Sequence, residues 1–189
     1  MMPQYLFPNG RCATIVSSPA VSPTPEVADA RSVALKNPVG RLLGTWQRLA
    51  PLPGGKWLFS RLLGWVAPYT GSIGARVESL EPGHVRVSLR DRRAVRQHLG
   101  SIHAVALVNL AEVTSGLAML SAVGSTARGI VTALRIEYRK KARGTLLAES
   151  RVSPSPVLEP VDAEVTATIT DAAGDIVAVA TITWRLAPL

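Results

Sequence analysis

Two hydrophobic periods divide the chain. From Gly71 onward, "GSIGARVESL" and "HVRVSLRD" alternate apolar and polar positions. Ile73, Ala75 and Val77 fall on one face of the first stretch, and Val85, Val87 and Leu89 on one face of the second. A period of two predicts half-buried strands. Between them, "EPGH" puts Pro82 and Gly83 at the centre of a type II turn, so the pair is predicted as a hairpin. "AVALVNLAEVTSGLAMLSAVG" is then apolar on every side from Ala104 to Val123. Asn109, Glu112, Thr114 and Ser115 interrupt it too heavily for a membrane span. A helix buried all round is predicted instead. "GIVTALRIEYR", "TLLAESRV", "AEVTATITD" and "IVAVATITWRL" follow as four more strands, the last two joined by "DAAGD". Short turns make neighbouring strands antiparallel. The predicted class is α+β, with an antiparallel sheet of about six strands wrapped around one central helix.

Upstream the periods change. Residues 1–35 are rich in Pro, Ser and Ala, show neither period, and are expected to be a disordered leader or linker. An organelle transit peptide or an overextended start is an alternative reading of the same stretch. Residues 36–68 hold two helical patterns, broken by "APLPGGK". Arg41, Leu42, Leu43, Trp46 and Leu49 share one face, and Trp57, Leu58, Arg61, Leu62 and Trp65 share another. This segment is expected to pack on the domain formed by residues 69–189. Peripheral contact with a membrane surface is the alternative.

Composition narrows the classes. Charged residues are 18 % and hydrophobic residues 47 %, a globular balance. The lone Cys12 excludes an internal disulfide and a cysteine-based zinc site, and suits a reducing, cytoplasmic setting. No metal site and no cofactor are expected. The net charge of +8 is concentrated. Lys36, Arg41, Lys56 and their neighbours to Val66 meet no acid. Arg86, Arg90, Arg92, Arg93 and Arg96 surround Asp91, and six basic residues between Arg128 and Arg143 surround Glu137. Such fields attract phosphates. Nucleic acid is not the expected partner, because the basic residues are not interleaved with aromatics, which are 5 % of the chain.

"QHLGSIHAVALVNLAE" followed by "TALRIEYRKKARGTLLAES" resembles the hotdog-fold thioesterases, with the phenylacetyl-CoA thioesterase-like branch as a pattern. A bacterial hotdog family known only as a domain of unknown function is more similar still. The resemblance covers roughly residues 39–186. The branch reads Asn, Gly, His-Gly-Gly, then an acid nine residues after the His. Gly100, His103 and Glu112 match that spacing. Gln97 stands where Asn is usual, Ala104 and Val105 replace the two glycines, and Lys141 stands where Pro is frequent. The resemblance implies acyl-CoA substrates and two sheets joined edge to edge in a dimer.

These positions make chemical sense. His103 falls at the helix start, where the N–H groups of Ala104 and Val105 lack intrahelical partners and could polarise a thioester carbonyl. Glu112 is an acid inside an apolar helix. It is a candidate general base or nucleophile, unless a hidden backbone or Arg partner ties it down. Nine residues of helix amount to about 13.5 Å and about 2.5 turns, so His103 and Glu112 point to opposite faces. Acting together, they need a second copy of the chain. His103 is equally readable as a structural cap. Gln97, His98, Ser101 and Asn109 are candidate substrate contacts, and Arg135, Arg139, Lys140, Lys141 and Arg143 are candidates for coenzyme A phosphates. His84, beside the turn, is expected to be solvated. The leading function is acyl-CoA thioester hydrolysis. Its rivals are a non-catalytic acyl-CoA or lipid-binding hotdog protein, a hydroxyacyl-thioester dehydratase, and a membrane-surface protein working through residues 36–66.

Overall fold

The computed structural model describes residues 38–124, 126–153 and 156–189. The leader expected over residues 1–35, with Cys12, lies outside the described residues, as does Lys36.

Two helices open the described chain, α1 (Pro38–Leu49) and α2 (Gly55–Val66), and a single turn of helix, α3 (Pro68–Ser72), follows. Pro51 and Pro53 lie just beyond α1, where the chain no longer has to donate along a helix. Pro68 sits in the first turn of α3, where its missing N–H costs nothing. The helix pair closes on itself through Trp46 and Phe59, which meet edge to face with ring centroids 5.0 Å apart at 74°. Both rings are buried in the main core. Helices α2 and α3 touch at Gly64 and Gly71. A Cβ at Gly71 would stand 2.7 Å from the Gly64 backbone, so neither position admits a side chain without moving a helix.

The first strand, β1 (Arg76–Glu81), begins at Arg76, not at Gly71 as the alternation predicts. Pro68 starts a helical turn there, and Gly74 reverses the chain at φ 61°. Ile73 still reaches the core, but from the turn. The predicted hairpin to β2 (His84–Leu89) is present. Gly83 has φ 76°, as position three of a type II turn requires. Its N–H donates to Ser121 Oγ at 3.0 Å, which ties the turn to the central helix.

After β2 the chain passes a short 3₁₀ turn (Arg93–Val95), forms α4 (Ala104–Val123), and continues into β3 (Ala127–Tyr138), β4 (Leu146–Arg151), β5 (Val161–Thr170) and β6 (Ile176–Pro188). The sheet order is β1-β2-β4-β5-β6-β3, and every pair is antiparallel. Helix α4 therefore carries the chain across the sheet, from one side to the far edge. It packs chiefly on β2, β4 and β5. Leu110, Ala111, Thr114, Ser115 and Ala118 have no exposed surface, nor do Val85, Leu146, Ala167, Ile169 and Ile182 of the strands facing them. Each large aliphatic side chain so buried contributes about 1.5–3 kcal/mol. Trp184 lies over α4 at Gly116, where an added Cβ would come within 3.0 Å of the indole. The helix is long and apolar enough to cross a bilayer, yet 72 % of its most apolar window is buried in the domain, so it is a core helix. Alternating threonines, Thr166 and Thr168 on β5 and Thr181 and Thr183 on β6, take the outer face. This is the hotdog architecture, a six-stranded antiparallel sheet around a central helix, with N-terminal helices packed on it.

The two sheet edges differ. β1 is six residues long and lies against α2. β3 is twelve residues long, and its outward positions include exposed Ile130 and Ala133.

Candidate functional site

The site is built where the loop after β2 delivers the chain to α4. Three contacts fix that loop. His103 N–H donates to Val95 O at 2.8 Å, Ile102 N–H to Ala142 O at 2.9 Å, and Gln97 N–H to Ser101 O at 2.9 Å. Asp91 adds a fourth, accepting from Arg96 Nε at 2.6 Å and from the Gly144 N–H at 3.0 Å. The hydrogen bond from Arg96 holds the Asp91 carboxyl below its ordinary range. The start of α4 is thus tied to the turn between β3 and β4.

His103 is the N-cap of α4, and its ring Nδ1 accepts the Val105 N–H at 3.1 Å. Accepting at Nδ1 puts the proton of a neutral ring on Nε2, on the exposed side. The structural-cap reading of His103 is therefore realised, and it leaves Nε2–H free to donate. It also narrows the predicted pair of backbone donors. The Val105 N–H is taken by His103, and the N–H groups of Ala106 and Leu107 both turn to His103 O. Among the described residues only the Ala104 N–H at this helix start has no acceptor. The helix dipole still presents its positive end here, and His103, Ala104 and Val105 are all exposed.

Glu112 lies nine positions further on. At about 100° per residue, it faces away from His103. It is half-buried, and among the described residues its carboxylate has neither a hydrogen-bond nor an ion-pair partner. Burial raises its pKa above the ordinary glutamate value. The hidden partner that would have made it purely structural is not found. Val105, Val108 and Glu112 form the one stripe of α4's first half that the chain's own sheet and helices leave uncovered. Asn109 stands beside that stripe. Its Nδ2 donates to Tyr69 O at 2.9 Å, while its Oδ1 is buried without a partner among the described residues.

The other predicted contacts divide. Gln97 Nε2 donates to Ser101 Oγ at 2.8 Å, so these two hold each other, and Ser101 is buried. His98 is exposed at the loop tip. Arg135 and Arg139 both pair with Glu137, and Lys140 bridges Asp171 and Asp175 at 2.7 and 2.6 Å. Only Lys141 and Arg143, of the five basic candidates, lack an acid partner within ion-pair distance among the described residues. Arg135 also alternates with Leu134 and Ile136, which pack on the core, so it points to the opposite face of the sheet from α4. His84, read as solvated, instead shares a 2.9 Å hydrogen bond with Glu149 across β2 and β4.

Sequence reasoning missed Tyr138. Its hydroxyl donates to Ala104 O at 3.3 Å, at the first residue of α4, and partial burial raises its pKa. The signal was an aromatic at the end of the strand that follows the helix, but proximity to the helix start depends on the sheet order. A cleft of about 1170 Å³ lies elsewhere, between α2, α3 and β1, and contains none of the predicted site residues.

Among the described residues, no cluster of His, Cys, Asp or Glu could hold a metal ion. No curated protein matches the sequence. Solved structures do match. The protein named genomics APC5556 aligns with a TM-score of 0.67 and 26 % identity over 80 % of this chain and 99 % of that one. A Pseudomonas aeruginosa protein of unknown function, named a "Probable Thioesterase", aligns with a TM-score of 0.64 and 26 % identity over 73 % of this chain and 97 % of its own. The phenylacetic acid degradation protein PaaI of Thermus thermophilus, as a point mutant, shares the fold at 21 % identity and a TM-score of 0.53, over 62 % of this chain and 97 % of that one. The second of these neighbours is thus named a probable thioesterase, and the family profile matches residues 55–186: the chain belongs to the family described as Domain of unknown function (DUF4442).

Proposed function

We propose that this chain is a thioesterase that hydrolyses acyl-CoA as a homodimer, with Glu112 of one copy working at the His103 helix start of the other. The observation that carries the reading is Glu112 itself: an acid without a partner among the described residues, partly desolvated, on the uncovered stripe of a central apolar helix. Keeping such a group unpaired costs stability, which selection tolerates where the group works. The thioester carbonyl would lie at the start of α4, met by the Ala104 N–H and by His103 Nε2–H. Water activated by Glu112 would attack it, or Glu112 would attack directly and water would clear the anhydride. Coenzyme A would leave as the thiol, with its phosphates near Lys141 and Arg143. The long open edge of β3 is the surface on which a second sheet would pair. A cytoplasmic setting, where acyl-CoA is made and used, suits the single cysteine.

The test is thiol release from a panel of acyl-CoA esters by the purified chain. Turnover that falls about 100-fold or more in Glu112→Gln supports the assignment, since a positioned base contributes that much. Undiminished turnover in that variant overturns it. One observation favours a second reading. With Ala104 and Val105 in place of glycines and the Val105 N–H occupied, the helix start is less open to a substrate than the resemblance implies. A non-catalytic acyl-CoA-binding protein would show saturable binding by calorimetry and no thiol release.

A further inference from the structure

The stripe of α2 formed by Trp57, Leu58, Arg61, Leu62 and Trp65 does not face the core. The inner face of α2 is supplied by Phe59 and Leu63, and Ser60 accepts the Val77 N–H from the side of β1 at 2.9 Å. Among the described residues nothing covers the opposite side. Trp57 is 58 % exposed, Trp65 85 %, Val66 82 %, and Tyr69 on α3 70 %. Single exposed hydrophobic residues are ordinary, but a contiguous apolar helix face is not.

Three features define what would cover it. First, no acid occurs between Ala30 and Val77; Lys56 and Arg61 lie on α2, and Arg76, Arg90 and Arg92 line the adjoining cleft against a single acid there, Glu78, which pairs with Arg76. A second copy placed symmetrically on this face would set cations against cations. Second, Arg61 is the only charged side chain on the stripe, and its guanidinium lies 5.7 Å from the centroid of the Trp57 ring. A guanidinium flanked by an indole ring meets a phosphate through paired hydrogen bonds while the ring stays at the apolar boundary. Third, two Trp, a Tyr and an Arg around aliphatic residues are the side chains that settle at headgroup depth. The geometry points to an anionic lipid bilayer as the occupant: the chain docks on the membrane surface through the outer face of α2 and α3, with the basic residues meeting lipid phosphates. The proposal stands independently of thioester hydrolysis.

Flotation of the full chain with vesicles tests it. The probes are phosphatidylcholine alone and phosphatidylcholine with about 30 % phosphatidylglycerol. Four tryptophans are present, and Trp46 and Trp184 are buried, so a blue shift and quenching by bromine-labelled acyl chains report Trp57 and Trp65. Expected are binding at least about ten-fold tighter to the anionic vesicles, weakening with salt, and quenching on binding. The paired change Trp57→Ser with Trp65→Ser should lower binding about ten-fold or more while circular dichroism stays that of the parent chain. Arg61→Gln is a milder variant that leaves the fold less exposed to disruption, and it should lower affinity for anionic vesicles alone. No binding to anionic vesicles, binding without quenching, or unchanged binding in the paired variant overturns the proposal. So does light scattering that shows the parent chain self-associating and the paired variant losing that association, because another copy would then own the surface.

Discussion

Glu112 shows how far a single residue can be taken. Its folded pKa is raised by burial, so between the unfolded and folded values the native state holds more protons than the unfolded chain. Stability therefore falls as pH rises through that window, the reverse of a salt-bridged carboxylate. Glu112→Gln should raise the melting temperature at pH 7 by more than at pH 4, while removing turnover. An equal effect at both pH values would mean that the carboxylate is held by interactions and is not simply desolvated. In the parent chain, the acid limb of the kcat/KM profile should lie above the ordinary glutamate value near about 4.3. The residue type and position of Glu112 were readable from the sequence, because an acid in an apolar run is anomalous on its own. The state of His103 was not. Whether its ring caps the helix or faces a substrate is set by a 3.1 Å contact to Val105, which no spacing encodes. The pairing within the basic run was hidden for a related reason. Arg139 pairs with Glu137 only two residues away, but Lys140 finds Asp171 and Asp175 on the β5–β6 turn, and those partners are adjacent only once the sheet has formed.

Elements were legible where burial sets the pattern. All six strands and the central helix are foreshadowed by their periods, because each has one face, or all faces, in the core. Only the start of β1 differs, in the stretch before Arg76, where Ile73 and Ala75 alternate like a strand. Local chain stiffness at Pro68 and the left-handed Gly74 decide the outcome there. The second helical stripe misled in the other direction. Trp57, Leu58, Arg61, Leu62 and Trp65 share a face, but a 3.6 period cannot tell an inward face from an outward one when both are apolar. The α2–α3 corner rests on its two glycines. Gly71→Ala puts a methyl group 2.7 Å from the Gly64 backbone, which must yield. A loss of about 1–3 kcal/mol is expected in denaturant unfolding, with faster amide exchange around Asn109, whose side chain is anchored on Tyr69 O. Phe59→Ala should cost more, about 3–5 kcal/mol, since it empties the contact with Trp46 that fastens the helix pair to the domain.

At the scale of the whole molecule, the proposed chemistry requires two chains, and mixing can decide it. His103→Ala and Glu112→Gln chains, each inactive alone, should regain about a quarter of parental turnover when denatured together and refolded. Half of the resulting dimers are then mixed, and each mixed dimer has one intact site of two. No recovery would place His103 and Glu112 in the same copy, or outside the chemistry. The nine-residue spacing already points to a second copy, but the residues with which that copy would complete the proposed site cannot be read from one chain. Tyr138 gives the arrangement a further consequence. It closes β3 and donates to Ala104 O at the first residue of α4, so the strand proposed for assembly and the helix end proposed for reaction are fastened together. A neighbour that zips onto that edge would pull the reactive end into shape at the same moment. A dilute, solitary chain would then be a dormant form, and its rate would climb with the square of concentration until pairing is complete.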